Sequence, residues 1–178
     1  MNDKTPEPST NVFPIALESL STNTMTQDWD HYFLDLVRTV STKSKDPHTQ
    51  IGCVIVGPDR EIRTTGYNSF VRGLDDSVAE RSERPEKYWW IEHAERNAIY
   101  NAARMGTSLN GCTIYVPSLP CVDCARAIVS VGIREVVNSR QAVEVWLQKT
   151  QWQPHNERVR QMFSECGVTM RSIDYDGF

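Results

Sequence analysis

From Asp28 to Ile173 the apolar positions switch between a helical period and short continuous or alternating runs, which predicts helices interleaved with strands. Trp29, Tyr32, Phe33, Leu36, Val37 and Val40 recur at helical spacing behind Asp28, a natural N-cap, so a first helix packs its aromatic stripe into the core. The apolar run 51–56 predicts a buried strand, Gly57-Pro58-Asp59 a turn, and 61–67 the antiparallel return strand. Residues 68–91 read as a long connection of the kind that is usually functional or mobile, with Trp89 and Trp90 forming either a plug under the next helix or a wall of a pocket. A helix over 92–105 follows, whose Ala94, Ala98, Ile99, Ala102 and Ala103 offer a narrow face for close packing on a sheet. A strand over 112–116 feeds a helix over 121–131, and a strand over 132–137 leads to helices over 142–147 and 156–165. A last strand occupies 168–173.

The order α-β-β-α-β-α-β-α-β places the chain in the α/β class. Strand–helix–strand crossovers make parallel neighbours with helices on both faces, so the expected architecture is a three-layer α/β/α sandwich on a five-stranded mixed sheet. Residues 1–25, rich in Ser, Thr, Pro and Asn, read as a disordered tail, and 26–178 as one domain.

Composition narrows the function. A formal net charge of −4 with no Lys/Arg run argues against a broad polynucleotide-binding surface, although a small anion needs only one or two arginines. No apolar run approaches the roughly 20 residues of a membrane span. The first residues lack the basic and apolar regions of a secretory signal. Of five cysteines, Cys53, Cys112 and Cys166 are an odd remainder outside the motif described next, which favours a reducing compartment and a cytoplasmic location.

That motif is His93-Ala94-Glu95 followed by Pro120-Cys121-Val122-Asp123-Cys124, the H-x-E and P-C-x-x-C pattern of a zinc nucleobase deaminase. One imidazole and two thiolates give three zinc ligands and leave the fourth tetrahedral position to water. Glu95 is close enough to face that water without binding the metal, as a general acid–base must. A closed structural zinc site lacks a fourth ligand, because Cys112 opens an apolar run and reads as a small buried hydrophobe. A redox C-x-x-C pair would leave His93-Ala94-Glu95 unexplained. Zinc belongs where the N-termini of the two motif helices meet, with both thiolates in the first turn of the second.

Beyond this motif, Trp29-Asp30-x-Tyr32-Phe33, Ser44-Lys45-Asp46-Pro47-x-Thr49-Gln50-x-Gly52, Gly66-Tyr67-Asn68 and Gly167-Val168-Thr169 give the chain a resemblance to the deoxycytidylate (dCMP) deaminase family of the zinc cytidine deaminase superfamily, from about Trp29 to Ile173. The resemblance implies hydrolysis of dCMP to dUMP and ammonia, a homo-oligomer (hexamer or dimer), and dCTP and dTTP as effectors. It implies that Asn68 meets the sugar 3′-hydroxyl and that the backbone at Ala94 and Pro120 frames the base. The chain departs from the family pattern at Arg96, where the family has Leu, and at Ser69 and Val71 in the effector loop. It has no Cys or His within 68–91 for the extra zinc site of some members, and no aromatic residue at Asn138-Ser139-Arg140.

Three classes compete: a deaminase of free nucleotides or nucleosides, a deaminase of tRNA or single-stranded DNA, and a zinc-stabilised module without activity. The acidic balance weighs against the second, and Glu95 with an open coordination position weighs against the third. A monophosphate substrate also needs a cation, for which Lys45, Arg72 and Arg126 are the candidates. Arg96 is turned away from the pocket if Glu95 faces in, and is assigned an intersubunit or effector role. The small helix face at Ala98, Ala102 and Ala103 is the expected oligomer contact.

Overall fold

The computed structural model describes residues 27–148 and 153–178; the predicted tail at 1–25 lies outside the described residues. Helix α1 (Trp29–Ser41) starts at Asp28, whose side chain accepts a hydrogen bond from the Asp30 amide. Strands β1 (Gly52–Val56) and β2 (Ile62–Tyr67) form the predicted antiparallel pair. Every residue of β1 is buried, as its continuous apolar run requires of a strand covered on both faces.

Next come a short ribbon strand β3 (Ser69–Phe70), a 3₁₀ turn (Ala79–Ser82), a one-turn helix α2 (Lys87–Trp90) and strand β4 (Ile91–Glu92), which pairs with β3. The alternation of α3 (Ala94–Met105), β5 (Thr113–Tyr115), α4 (Val122–Ser130), β6 (Glu135–Ser139), α5 (Arg140–Leu147), α6 (Gln153–Cys166) and β7 (Thr169–Ile173) completes the domain. The main sheet runs β2-β1-β5-β6-β7. Its β5–β6 and β6–β7 pairs are parallel, while β1 is antiparallel to both neighbours. The five-stranded mixed sheet is therefore the one the element order predicts.

Two apolar clusters sandwich the sheet. On one face Phe33, Leu34 and Val37 of α1 meet Val54, Val56, Tyr115 and Val137. On the other, Ala98 and Ala102 of α3, Ile128 of α4 and Phe163 of α6 pack with Ile55, Ile114 and Val136. Close approach explains one glycine: a Cβ on Gly66 would stand 2.3 Å from the Ala94 carbonyl oxygen and 2.4 Å from the Ala98 nitrogen, so α3 lies directly on β2. Of the face expected at an oligomer contact, Ala98 and Ala102 are thus buried inside the chain, while Ala103 is exposed.

The parallel strand β6 starts and ends later than predicted. Gly132, at φ +81°, turns the chain out of α4, so that pairing begins with the Arg134 amide on the Cys112 carbonyl. The strand then runs through Asn138 and Ser139, fully buried polar residues whose side chains bond Ser172 and the Tyr175 carbonyl. Ser139 also caps α5 by accepting from the Ala142 amide, so this helix begins two residues before the first position expected from its apolar pattern.

Candidate active site

Helix α3 begins two residues later than predicted and α4 one residue later, because His93 and Cys121 are N-caps. This places His93 and Cys121 at the ends of α3 and α4, with Cys124 alone in the first turn of α4. The Cys121 and Cys124 sulfurs lie 3.6 and 3.5 Å from His93 Nδ1. All three ligand atoms fall within 4.8 Å of one another, the only such His, Cys or carboxylate group of three or more among the described residues. One nitrogen and two soft sulfurs are a donor set that zinc favours, and the helix N-termini stabilise the thiolates.

The charge state fits. The Cys121 thiol is pushed down to about 3, first by its hydrogen bond with Cys124 and then by His93. The same bond, together with burial, raises Cys124. The His93 imidazole is raised, chiefly by Cys121. Glu95, in the first turn of α3, is only 6% exposed, and burial pushes its carboxyl above the ordinary range against the pull of His93. That is the direction a proton shuttle needs.

His93, Glu95 and Cys121 open into a cavity of about 480 Å³, to which Ala94, Pro120 and Asn68 also contribute. Asn68 is committed to local structure: its Oδ1 accepts from the Ile51 amide, and its Nδ2 donates to the Thr49 carbonyl and to Asp46. It thereby fixes the loop that lines this side of the cavity. The three cations expected near a phosphate lie elsewhere. Lys45 and Arg72 line a second cavity of about 250 Å³, where Lys45 pairs with Asp76 at 2.5 Å and Arg72 bonds Asn101. Arg126 pairs with Asp123 on the exposed side of α4. All three are drawn off by nearer acceptors.

Other residues line the main cavity where these do not. Arg84 lines the main cavity and, among the described residues, has neither an ion pair nor a hydrogen bond. Tyr88, Ser118 and Trp146 line it too, and the buried Ser118 Oγ has no partner among the described residues. Trp89 is 81% exposed, neither plug nor wall, and Trp90 is held by Glu86 and stacked under Arg81. The aromatic that the sequence lacks directly after β6 is met in space by Trp146, seven residues further along in α5. No motif marks Arg84, Tyr88 or Trp146; only the path of the 68–91 connection and of α5 brings them to the cavity.

Comparison with known proteins places this geometry. Residues 27–139 match the cytidine and deoxycytidylate deaminase zinc-binding region. Human deoxycytidylate deaminase is 32% identical over 153 residues, covering 82% of this chain and 80% of its own length. A Caenorhabditis elegans protein named "Probable deoxycytidylate deaminase" is 43% identical over 107 residues, and the match spans 58% of this chain and 53% of that protein. The dCMP deaminase of cyanophage S-TIM5, solved in complex with dCMP and dUMP, superposes with a TM-score of 0.62 at 19% identity, over 84% of this chain and 99% of its own. At that identity the superposition speaks for the fold. Among the described residues no helix is long and apolar enough to cross a membrane.

Proposed function

The chain belongs to the zinc-dependent cytidine and deoxycytidylate deaminase family, and we propose that it hydrolyses dCMP to dUMP and ammonia as a cytoplasmic homo-oligomer. The observation that carries this reading is the meeting of His93, Cys121 and Cys124 within 4.8 Å, at the end of a cavity that buried Glu95 also lines.

His93 Nδ1 and the two sulfurs would hold zinc, which supplies hydroxide at neutral pH by lowering the pKa of bound water from about 15.7 towards 7. Glu95 takes the proton that the water loses in becoming hydroxide and delivers it to ring N3 as the C4–O bond forms; it then takes the proton of the new C4 hydroxyl, which becomes the carbonyl, and passes it to the departing amine. The C4–N bond breaks, and ammonia leaves. The backbone at Ala94 and Pro120 frames the base, and the loop held by Asn68 bounds the sugar. The 5′-phosphate falls to Arg84, whose fork suits bidentate pairing with phosphate oxygens and which no carboxylate already occupies. The second cavity, with Lys43, Lys45 and Arg72, is where a dCTP or dTTP effector would bind, by displacing Asp76 from Lys45 and Asn101 from Arg72.

Ammonia release from dCMP, CMP, dCTP, deoxycytidine and a cytosine oligonucleotide tests the assignment. The highest kcat/KM is expected for dCMP, with deoxycytidine far poorer. Arg84→Ala should narrow that gap by harming dCMP alone. Equal values for dCMP and deoxycytidine in the wild type would remove the nucleotide assignment, and no ammonia from any of the five would remove the deaminase reading itself.

A further inference from the structure

We propose that Arg96 is a positioning residue of the metal centre, bridging the two chain segments that carry its ligands. It rests on the zinc site described above. His93 and the cysteine pair lie 28 and 31 residues apart in sequence. Their donor atoms stay in register only if the start of α3 is held against the start of α4.

Arg96 spans that junction. Its Nε donates to Glu92 Oε1 at 2.6 Å, and the same oxygen accepts the His93 backbone N–H at 2.8 Å. The Glu92 carboxylate is therefore shared between the ligand-bearing cap of α3 and the guanidinium. The other end of the fork, Nη1, stands 3.7 Å from Asp123 Oδ2. Asp123 lies between Cys121 and Cys124 in the first turn of α4. Arg96 and Glu92 side chains are each only 18% exposed, whereas Asp123 is 57% exposed, so the bridge is anchored inside at Glu92 and closes at the surface on Asp123, whose other oxygen is held by Arg126. Its charge also falls beside both sulfurs, favouring thiolates there. A leucine or methionine at this position would fill the same space but make neither the hydrogen bond to Glu92 nor the ion pair with Asp123. Lysine would keep the charge and lose the fork that reaches two carboxylates at once. Outer-shell partners of this kind tune a metal site through the orientation of its ligands.

Chelator competition on the full chain reads the effect as zinc affinity, independently of turnover. Arg96→Met is expected to weaken zinc binding by about 10–100-fold, the usual range for outer-shell partners. Arg96→Lys should recover part of the loss, and Asp123→Asn should cost less than Arg96→Met because the Glu92 anchor remains. Thermal unfolding of the zinc-free proteins separates this from plain destabilisation. A positioning role shrinks the rise in Tm on adding zinc, whereas a merely structural role lowers Tm equally with and without it. Unchanged zinc affinity in Arg96→Met overturns the proposal. Should that variant fail to fold, unchanged affinity in Asp123→Asn overturns it instead. Wild-type protein that binds no zinc would instead strike at the metal site beneath it.

Discussion

Lys87 Nζ lies 2.5 Å from Asp46 Oδ2, and the two side chains are 7% and 3% exposed in the wall of the main cavity. Asp46 also accepts from the His48 and Thr49 amides and from Asn68, so one carboxylate joins the loop before β1, the loop after β2 and helix α2. Lys87→Met strands that carboxylate and should cost about 3–5 kcal/mol, read from urea unfolding. Adding Asp46→Asn should return part of the loss, because the unpaired charge is then gone. A single-variant cost below about 1 kcal/mol would show that the pair does not hold the wall.

The same carboxylate sets an acid limb. Burial alone would raise the Asp46 pKa, but the Lys87 hydrogen bond and the two backbone amides outweigh it, and the folded value is lowered. A lowered folded pKa contributes stability that is complete above the unfolded value of about 3.9 and is lost as pH falls through the folded one. With zinc saturating, the urea midpoint gap between wild type and Asp46→Asn should therefore be constant from neutrality to about pH 5 and close below about pH 4. A gap that persists at the lowest pH contradicts the assignment.

Glu95→Gln preserves shape but removes the proton carrier. Zinc content should stay at that of the wild type, while kcat falls by about 10²–10⁴-fold. Metal analysis beside single-turnover kinetics decides it, and near-normal turnover would take Glu95 out of the reaction.

Gly66→Ala drives a methyl group into the Ala94 carbonyl and the Ala98 nitrogen. Both are backbone atoms, so α3 must lift from β2, at a cost of about 1–3 kcal/mol or more. Because His93 caps α3, zinc affinity should fall along with stability. A variant as stable as the wild type would mean that the helix does not lie as close as the structure places it.

Removing zinc should lower Tm, since three ligands from two segments are then held only by packing and by the network around Arg96. Scanning calorimetry before and after dialysis against a chelator, with zinc added back, measures this; identical transitions would argue that the metal has no structural share.

What the residue order alone determined was local in origin. The H-x-E and P-C-x-x-C spacings fix which side chains carry the chemistry, since donor type and short sequence separation are chemical facts that survive without coordinates. The all-buried β1 was likewise legible, because burial writes itself into apolar periodicity, and so were Phe33 and Val37 of the α1 stripe, whereas Trp29 and Tyr32, read as core, are 45% and 40% exposed. The polar end of β6 was not, because Asn138 and Ser139 are buried with hydrogen bonds rather than by hydrophobicity. Nor were the charged residues around the cavity. A lone Lys, Arg or Asp has no period, and its partner is chosen by distance after folding. Thus Asp76 takes Lys45, Asn101 takes Arg72, Asp123 takes Arg126 and Asp46 takes Lys87, while Arg84 remains facing the cavity. Ligand identity lives in short-range covalent order. Which cations are left for a ligand is settled by long-range competition among charges, and only the tertiary structure resolves that.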